Sequence, residues 1–492
     1  MEDYFEMMEK SIPRTGVRTR FAPSPTGYMH IGNLRTALYA YLIARRSGGT
    51  FILRIEDTDQ ARFVGDAEDV IRKTLAECGL NYDEGPDVGG PAGPYVQSQR
   101  KDIYRRYADL LIEKGSAYRC FCTQEELSAR KAGSLQGYDG HCSRLSAEEI
   151  GEKLDRGVPH VVRQRIPKTG STTFHDAVFG EITTPNADLD DNVLLKSDGM
   201  PTYNFANVVD DHLMGITHVV RGTEYLSSTP KYNLLYSAFG WSVPEYIHCP
   251  PVMRDAQHKL SKRAGDPTFD DLISAGYLVP AVLNYVALLG WSPGGEQEIF
   301  SLKQMEEIFD ISGISRSPAI FDINKLTWFN SEYIRAMTPE EFSRAAGPYI
   351  AGAVKNPALD VKKIAALVQG RCQVLSDIPG RVDFFGELGE YSPELYVNKK
   401  MKTDRAIALE ALKWSRDALL ELRDWSEESI KDTLLSLAAS RGVKNGVVMW
   451  PVRVAVSGKE ATPGGATELC DILGREESLR RIDRGIELLG GK

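Results

Sequence analysis

Arg18-Thr-Arg20-Phe21-Ala22-Pro23-Ser24-Pro25-Thr26-Gly27-Tyr-Met-His30-Ile31-Gly32-Asn33 is the stretch on which the fold turns. A short apolar run around Phe21 leads into a turn that two prolines and a glycine make rigid. A helical pattern then runs from Ile31 to Arg46, Gly48-Gly49 stops it, and Thr50-Phe-Ile-Leu-Arg-Ile55 reads as a second strand. Strand, turn, helix and strand in that order predict a βαβ unit and a parallel sheet, with ligands at the carboxyl ends of its strands. His30 falls beside the helix N-terminus, where backbone N–H groups and the dipole favour a phosphate. Gly32 lets a flat base or ribose come close to the backbone. By itself such a short pattern is equally compatible with a Pro-rich loop carrying one solvated histidine.

Outward from this stretch, the chain of 492 residues is long enough for about three domains. Hydrophobic residues at 42% and charged residues at 26% are ordinary for a globular protein and argue against disorder. With 59 Lys and Arg against 68 Asp and Glu, the net charge is −9, which excludes indiscriminate coating of nucleic acid or anionic membrane. Local basic patches could still form a shaped nucleic-acid site. No apolar run approaches the roughly 20 residues that would span a bilayer. The opening MEDYFEMMEKSIPRTG is acidic and lacks the apolar segment of a signal peptide, and seven cysteines in this length do not suggest a disulfide framework. The cytoplasm is therefore expected.

Residues 98–192 are polar and glycine-containing, and look like an insertion with short helices. Thr123-Gln-Glu-Glu126 and Ser146-Ala-Glu-Glu149 both fit a capping box. Strand-like runs return at Val193–Leu195 and His218–Arg221. Beyond about 325 helix signals dominate. Thr338-Pro-Glu-Glu341 is a helix start, and Leu409, Leu412, Leu419 and Leu422 fall on one face of a helix over 404–423.

A second cationic segment, Lys259-Leu-Ser261-Lys262-Arg263 before Ala-Gly265, lies more than 200 residues after the first motif. Three cations beside a glycine can follow charge developing on a polyphosphate, although most such runs are solvated faces. Together, His30-Ile-Gly32-Asn33 and Lys259–Arg263 resemble the two ATP motifs of class I aminoacyl-tRNA synthetases. Asn33 departs from the family pattern, which has a second histidine there. Arg54-Ile-Glu56-Asp57-Thr-Asp59, Asn81–Pro86, Tyr203–His212, Arg221-Gly-Thr-Glu224-Tyr225 and Pro451-Val-Arg453 narrow the resemblance to glutamyl-tRNA synthetases.

This resemblance implies an α/β fold: a class I Rossmann-like catalytic domain (1–97 and 193–245) with an inserted acceptor-binding domain (98–192). An ATP-loop and stem-contact domain (246–337) and an all-helical anticodon-binding region in two subdomains (338–402 and 403–492) would follow. The helical C-terminus resembles the bacterial type. The implied activity is glutamate–tRNA ligation: ATP activates L-glutamate to glutamyl-adenylate with Mg²⁺, and the glutamyl group passes to the terminal adenosine of tRNA(Glu). A non-discriminating enzyme that also charges tRNA(Gln) is the alternative. A catalytically dead RNA-binding paralogue and a carboxylate ligase without tRNA are further readings. The intact His30, Lys259 and Lys262 disfavour the first, and the long helical C-terminus disfavours the second. A monomer is expected.

Carried over position by position, the resemblance makes His30, Lys259 and Lys262 catalytic. It places ATP on His30, Gly32, Asn33, Glu224, Lys259, Ser261, Lys262 and Arg263. Glutamate falls to Arg20, Ala22, Ser24, Glu56, Tyr203, Asn207 and Arg221, with Arg20 as a fork for a carboxylate and Glu56 on the ammonium. Arg453, Thr462 and Pro463 match anticodon contacts, where an unstacked base edge can be read. Cys120-Phe-Cys122 with Tyr138, His141 and Cys142 leaves two readings open. One is a structural Zn²⁺ on Cys120, Cys122, Cys142 and Tyr138 or His141, and the other is buried free thiols.

Overall fold

The computed structural model describes residues 2–25, 29–59, 65–131, 138–260 and 264–491, and the chain divides into two compact units. The first comprises residues 1–273 and 282–323, the second residues 274–281 and 324–492.

The first unit opens with helix α1 (Glu2–Ser11), ahead of the predicted strand–helix–strand motif. That motif is present: β1 (Arg18–Phe21), α2 (Ile31–Arg46) and β2 (Thr50–Leu53), with β1 and β2 parallel in register from Arg18↔Thr50 to Phe21↔Leu53. The second strand is two residues shorter than expected: Arg54 N–H still bonds the Phe21 carbonyl at 3.0 Å, but Ile55 N–H goes to the Tyr95 carbonyl at 2.9 Å. Helix α2 is apolar almost all round (Leu34, Ala37, Leu38, Ala40, Leu42 and Ala44 are fully buried), as a helix covered on several sides must be. Beyond it come α3 (Ala67–Glu77) and α4 (Lys101–Glu113), then β3 (Ala117–Cys120), α5 (Gln124–Lys131) and α6 (Ala147–Asp155). Both expected capping boxes form: Thr123 and Glu126 exchange bonds of 2.9 and 3.3 Å, and Ser146 and Glu149 bonds of 2.7 and 3.2 Å.

The stretch 98–192 holds more strand than its composition suggested. Alongside β3 it carries β4 (Val161–Gln164), β5 (Ser171–Asp176) and β6 (Gly180–Pro185). In β5 the exposed Ser171, Thr173 and His175 alternate with more buried neighbours, and half of β4 is the buried Arg163 and Gln164, so neither reads as an apolar run. β3 and β4 pair antiparallel and join β7 (Val193–Leu195) in a small three-stranded sheet. The β5–β6 hairpin instead belongs to the main sheet. That sheet runs β2-β1-β8-β9-β5-β6, where β8 is His218–Gly222 and β9 is Glu245–Cys249. Neighbours from β2 to β5 are parallel, and β6 alone is antiparallel. Helices α7 (Tyr203–Leu213) and α8 (Thr229–Phe239) flank β8 in sequence. Helix α1, outside every matched motif, packs Phe5 edge-on against Tyr107 at 5.0 Å and sets Glu9 2.6 Å from His212.

From residue 324, within the helix Ile323–Ala336, to the helix Arg475–Gly490, the second unit is helical, as expected. Thr338 caps its helix with Glu341, and Pro339 stands at the first turn. The 405–420 helix buries Leu412 and Leu419, but Leu409 and Leu422 are only half-buried. Ala408, Ala411 and Ser415 complete the buried stripe, because close helix packing favours small residues that a leucine search overlooks.

Candidate active site

The carboxyl ends of β1, β8 and β9, with the segment after β2, surround a cavity of about 240 Å³. Arg20, Ala22 and Ser24 line it from the first strand, Glu56 from after β2, Tyr203 from α7, and Arg221 and Glu224 from β8 and the turn beyond. His30, Gly32 and Asn33 line it from the α2 N-terminus, and Lys259 reaches it from the far segment. Two motifs more than 200 residues apart in sequence thus meet at one cavity. Ser261, Lys262 and Arg263 lie outside the described residues, as do Thr26, Gly27 and Tyr28 of the first motif.

His30 caps α2: its Nδ1 accepts the Asn33 N–H at 3.2 Å. Burial, with Lys259 second, pushes its pKa below the ordinary histidine value, so the ring is neutral at pH 7. With Nδ1 accepting, the proton sits on Nε2, and the ring can donate from that edge. A Cβ at Gly32 would stand 3.1 Å from the His30 ring, so glycine is what lets the ring lie along the helix end. Gly222 plays the same part for Glu224, whose carboxylate would be 2.2 Å from an added Cβ. Glu224 lies 3.8 Å from Lys259.

The amino-acid side of the cavity is built on buried charge. Asp211, on α7, accepts Arg20 Nε and Nη2 at 3.0 and 3.3 Å and Arg54 Nη1 at 2.7 Å. Arg54 also holds Glu56 at 2.9 Å, and Asp210 accepts Arg100, Gln97 and Tyr104 at 2.7–2.9 Å. Burial alone would raise the Asp211 carboxyl, but Arg20 and Arg54 hold it below the ordinary range. Burial does raise Glu56, against the pull of Arg54 and Arg20. Arg20, expected as a fork for substrate, thus has Nε and Nη2 on Asp211, and its Nη1 on the Val220 carbonyl at 3.2 Å.

Arg221 is buried among three tyrosines, with its guanidinium carbon 5.4, 4.8 and 5.1 Å from the Tyr225, Tyr232 and Tyr246 rings. Burial would push its pKa down, but Tyr203, Tyr232, Tyr246 and Asp211 keep it above the ordinary arginine value. Asn207 is not brought to the cavity wall: it sits one turn behind Tyr203 and donates its amide to the Tyr203 carbonyl at 2.6 Å.

Sequence reading assigned no role to Arg54, Asp210, Asp211, Thr229, Asp176 or His248. Adjacent aspartates at 210–211 following Val208-Val209 on one helix were the available signal, since paired acids in an apolar helix need buried cations.

Away from the cavity, Cys120, Cys122 and Cys142 gather with all three sulfurs within 4.8 Å of one another. Cys122 and Cys142 Sγ are 3.5 Å apart, and the Tyr138 hydroxyl is 3.4 and 3.6 Å from Cys120 and Cys122. Sulfurs about 2.3 Å from one tetrahedral ion would stand about 3.8 Å apart, so these donors fit a zinc. The hydrogen bond between Cys120 and Cys142 pulls the Cys120 thiol below its ordinary value and pushes Cys142 above it, so the pair shares one thiolate. His141 is not part of the cluster.

In the helical unit Arg453 donates to Thr462 Oγ1 at 3.1 Å and to the Glu460 carbonyl at 2.6 Å, and its guanidinium lies 4.3 Å from the Trp450 ring. Pro463 is buried beside Thr462. Arg453, Thr462 and Pro463 thus lie close to one another.

The family "tRNA synthetases class I (E and Q), catalytic domain" matches residues 16–328, and "Anticodon binding domain" matches residues 341–486. With the cavity at the strand ends, these matches define a class I aminoacyl-tRNA synthetase. A glutamate–tRNA ligase of Clostridium acetobutylicum is 59% identical over 96% of this chain and 99% of its own, and one of Clostridium tetani is 58% identical over 96% and 98%. The chain belongs to the glutamate–tRNA ligase family. The crystal structure of a glutamate tRNA ligase from Elizabethkingia meningosepticum in complex with its amino acid superposes with a TM-score of 0.89. It is 36% identical and covers 96% of this chain and 99% of that one. The glutamate-tRNA synthetase of Elizabethkingia anophelis gives 0.88 at 35% identity, covering 96% and 100%.

Proposed function

We propose that this chain couples ATP cleavage to the attachment of L-glutamate to tRNA(Glu). The observation that carries this reading is the single cavity onto which His30, Gly32 and Lys259 converge beside Glu56 and Arg221. A dicarboxylic zwitterion needs cations for its carboxylates and one anion for its ammonium. Arg221 supplies a cation at the inner wall, Glu56 supplies the anion, and Arg20 adds positive charge from behind. Arg20, Ala22 and Ser24 shape the wall along the backbone of the amino acid, Tyr203 closes the far side, and Asn207 steadies the helix turn that carries Tyr203.

In the first step the glutamate α-carboxylate oxygen bonds to the ATP α-phosphorus while the bond to the pyrophosphate oxygen breaks. His30 Nε2–H and the α2 N-terminus face the phosphates from one side and Lys259 serves from the other, with Lys262, three residues on in the sequence, assigned to act with it. Ser261 and Arg263 flank that lysine, Asn33 offers a further donor, and Glu224 takes the ribose hydroxyls. Mg²⁺, when bound with ATP, neutralises charge on the departing pyrophosphate. The terminal 2′-hydroxyl of tRNA then attacks the glutamyl carbonyl, and AMP leaves.

Three finer assignments belong to the same reading. Cys120, Cys122, Cys142 and Tyr138 would hold one Zn²⁺, which would tie β3 to the loop before α6. Arg453, Thr462 and Pro463 would meet the anticodon. The stretch 98–192, as an insertion in the catalytic unit, would carry the acceptor stem, with 338–402 and 403–492 as two anticodon-binding subdomains.

Charging purified tRNA(Glu) and tRNA(Gln) separately with labelled glutamate tests this. Charging of tRNA(Glu) alone is expected. Charging of both would establish the non-discriminating alternative, and charging of neither would end the assignment.

A further inference from the structure

Behind Arg221 stand two buried residues that no step above uses. His248, on β9, places Nε2 3.0 Å from Arg221 Nε and Nδ1 2.6 Å from Asp176 Oδ2. Both His248 and Asp176 are completely buried. An arginine can only donate, so His248 Nε2 must be the acceptor there. The ring is therefore neutral and carries its proton on Nδ1, which donates to Asp176. Burial acts on His248 in the same direction, disfavouring the charged ring.

Asp176 is itself held firmly. Its Oδ1 accepts the Val178 and Phe179 N–H groups at 2.9 Å each, and its Oδ2 also accepts the His248 N–H at 3.1 Å. It ends β5, in the hairpin that the main sheet takes up next to β9. Around the imidazole lie Thr229 Oγ1 at 3.4 Å, the Tyr246 ring at 6.0 Å and the Phe174 ring at 6.5 Å.

The consequence falls on one edge of the Arg221 guanidinium. Nε and Nη2 share an edge, and that edge is taken: Nε by His248, and Nη2 by Thr229 Oγ1 at 2.9 Å. The Thr229 hydroxyl donates to the Tyr225 carbonyl at 2.8 Å, so it too can only accept from Arg221. Three tyrosine rings surround the guanidinium. What stays uncommitted, among the described residues, is the end-on edge of Nη1 and the second Nη2 hydrogen. Two parallel N–H groups there match the two oxygens of a carboxylate.

We propose that Asp176 and His248 are positioning residues which, with Thr229, fix the plane and edge of Arg221 that meets the side-chain carboxylate of the amino acid. The inference rests on the reading of Arg221 given under Proposed function. The relay works through the tautomer. Asp176 keeps the proton on Nδ1, the free Nε2 lone pair captures Arg221 Nε–H, and the guanidinium cannot swing to present a single N–H.

The test is tRNA charging by the full-length enzyme at saturating ATP and tRNA(Glu), with glutamate varied. Asp176→Asn can donate to Nδ1, which would move the proton to Nε2 and turn it against Arg221 Nε–H. Losing a hydrogen bond to a charged group should raise the KM for glutamate about tenfold or more, with the KM for ATP shifted less than about twofold. His248→Phe should do the same. His248→Gln keeps an acceptor near Nε2 and should recover most of the loss, which a purely space-filling role would not predict. In an Arg221→Lys background, Asp176→Asn should add little, because its effect passes through the guanidinium.

If Arg221→Lys raises the glutamate KM while Asp176→Asn and His248→Phe leave it at the wild-type value, the relay is refuted and the pocket reading stands. If Arg221→Lys itself leaves the glutamate KM unchanged, the pocket reading fails and the relay with it. Thermal melting identifies a variant that does not fold. Should Asp176→Asn be one, the His248→Gln and His248→Phe pair decides: a phenylalanine variant no weaker for glutamate than the glutamine variant overturns the proposal.

Discussion

The two compact units bury different things. In the first, the space beneath the cavity is packed with Arg20, Arg54, Arg100, Glu56, Asp210 and Asp211, all buried and paired with one another. In the second, the centre is Phe342, Ile364, Val382, Leu412, Leu419, Leu434, Val452 and their neighbours, an apolar core of the ordinary kind. Charge pairing in a dry interior is at best a break-even source of stability, whereas apolar burial is the main driving force. A protein that keeps six acidic and basic side chains in its interior next to a cavity is using them to hold orientation. The helical unit uses apolar packing to hold itself together.

The largest expected effect breaks the first pattern. Asp211→Ala strands Arg20 and Arg54 without their shared anion, and should cost about 3–5 kcal/mol along with charging activity. Denaturant unfolding and charging assays measure both, and a fully active variant of normal stability would show that the buried pairs are dispensable.

Leu412→Ala probes the second pattern. Opening a cavity in the helical core should cost about 3 kcal/mol, with the KM values for ATP and glutamate unchanged. A shift in either KM would mean that the helical core shapes the cavity as well.

The cysteine cluster sharpens the comparison with the smallest effect. Among the described residues, Tyr118, Cys120 and Cys142 are the buried members of the apolar cluster there, too few to hold a small lobe by burial alone. Metal analysis should find about one zinc per chain, and chelation should expose the β3–β4 region to protease while the glutamate KM holds. A zinc-free preparation with unaltered protease resistance would return the cysteines to the status of buried thiols.

Much of this was legible beforehand, for reasons of range. The β1–α2–β2 motif, the two predicted capping boxes, the Thr338 helix start and the helical C-terminus are written in neighbouring residues, because turns, caps and helical periodicity act over a few positions. The cationic segment near 259 and the residues around Glu56, Arg221 and Arg453 were recognisable for the same reason: each carries its own short signature. His30 and Gly32 were legible in type, but the sequence explains the glycine as room for a base or ribose, and only the fold shows that it clears the His30 ring.

The chain alone could state which residue types were present and which local shapes they preferred. Only the folded arrangement decided that Arg20 would lean on Asp211, that Asn207 would bond its own helix, and that the polar β5–β6 hairpin would join the main sheet and deliver Asp176 to His248. Arg20 and Asp211 lie 191 positions apart, and Asp176 and His248 lie 72 apart. A buried charge takes whichever partner the packing brings within hydrogen-bond reach, and sequence distance carries no information about that.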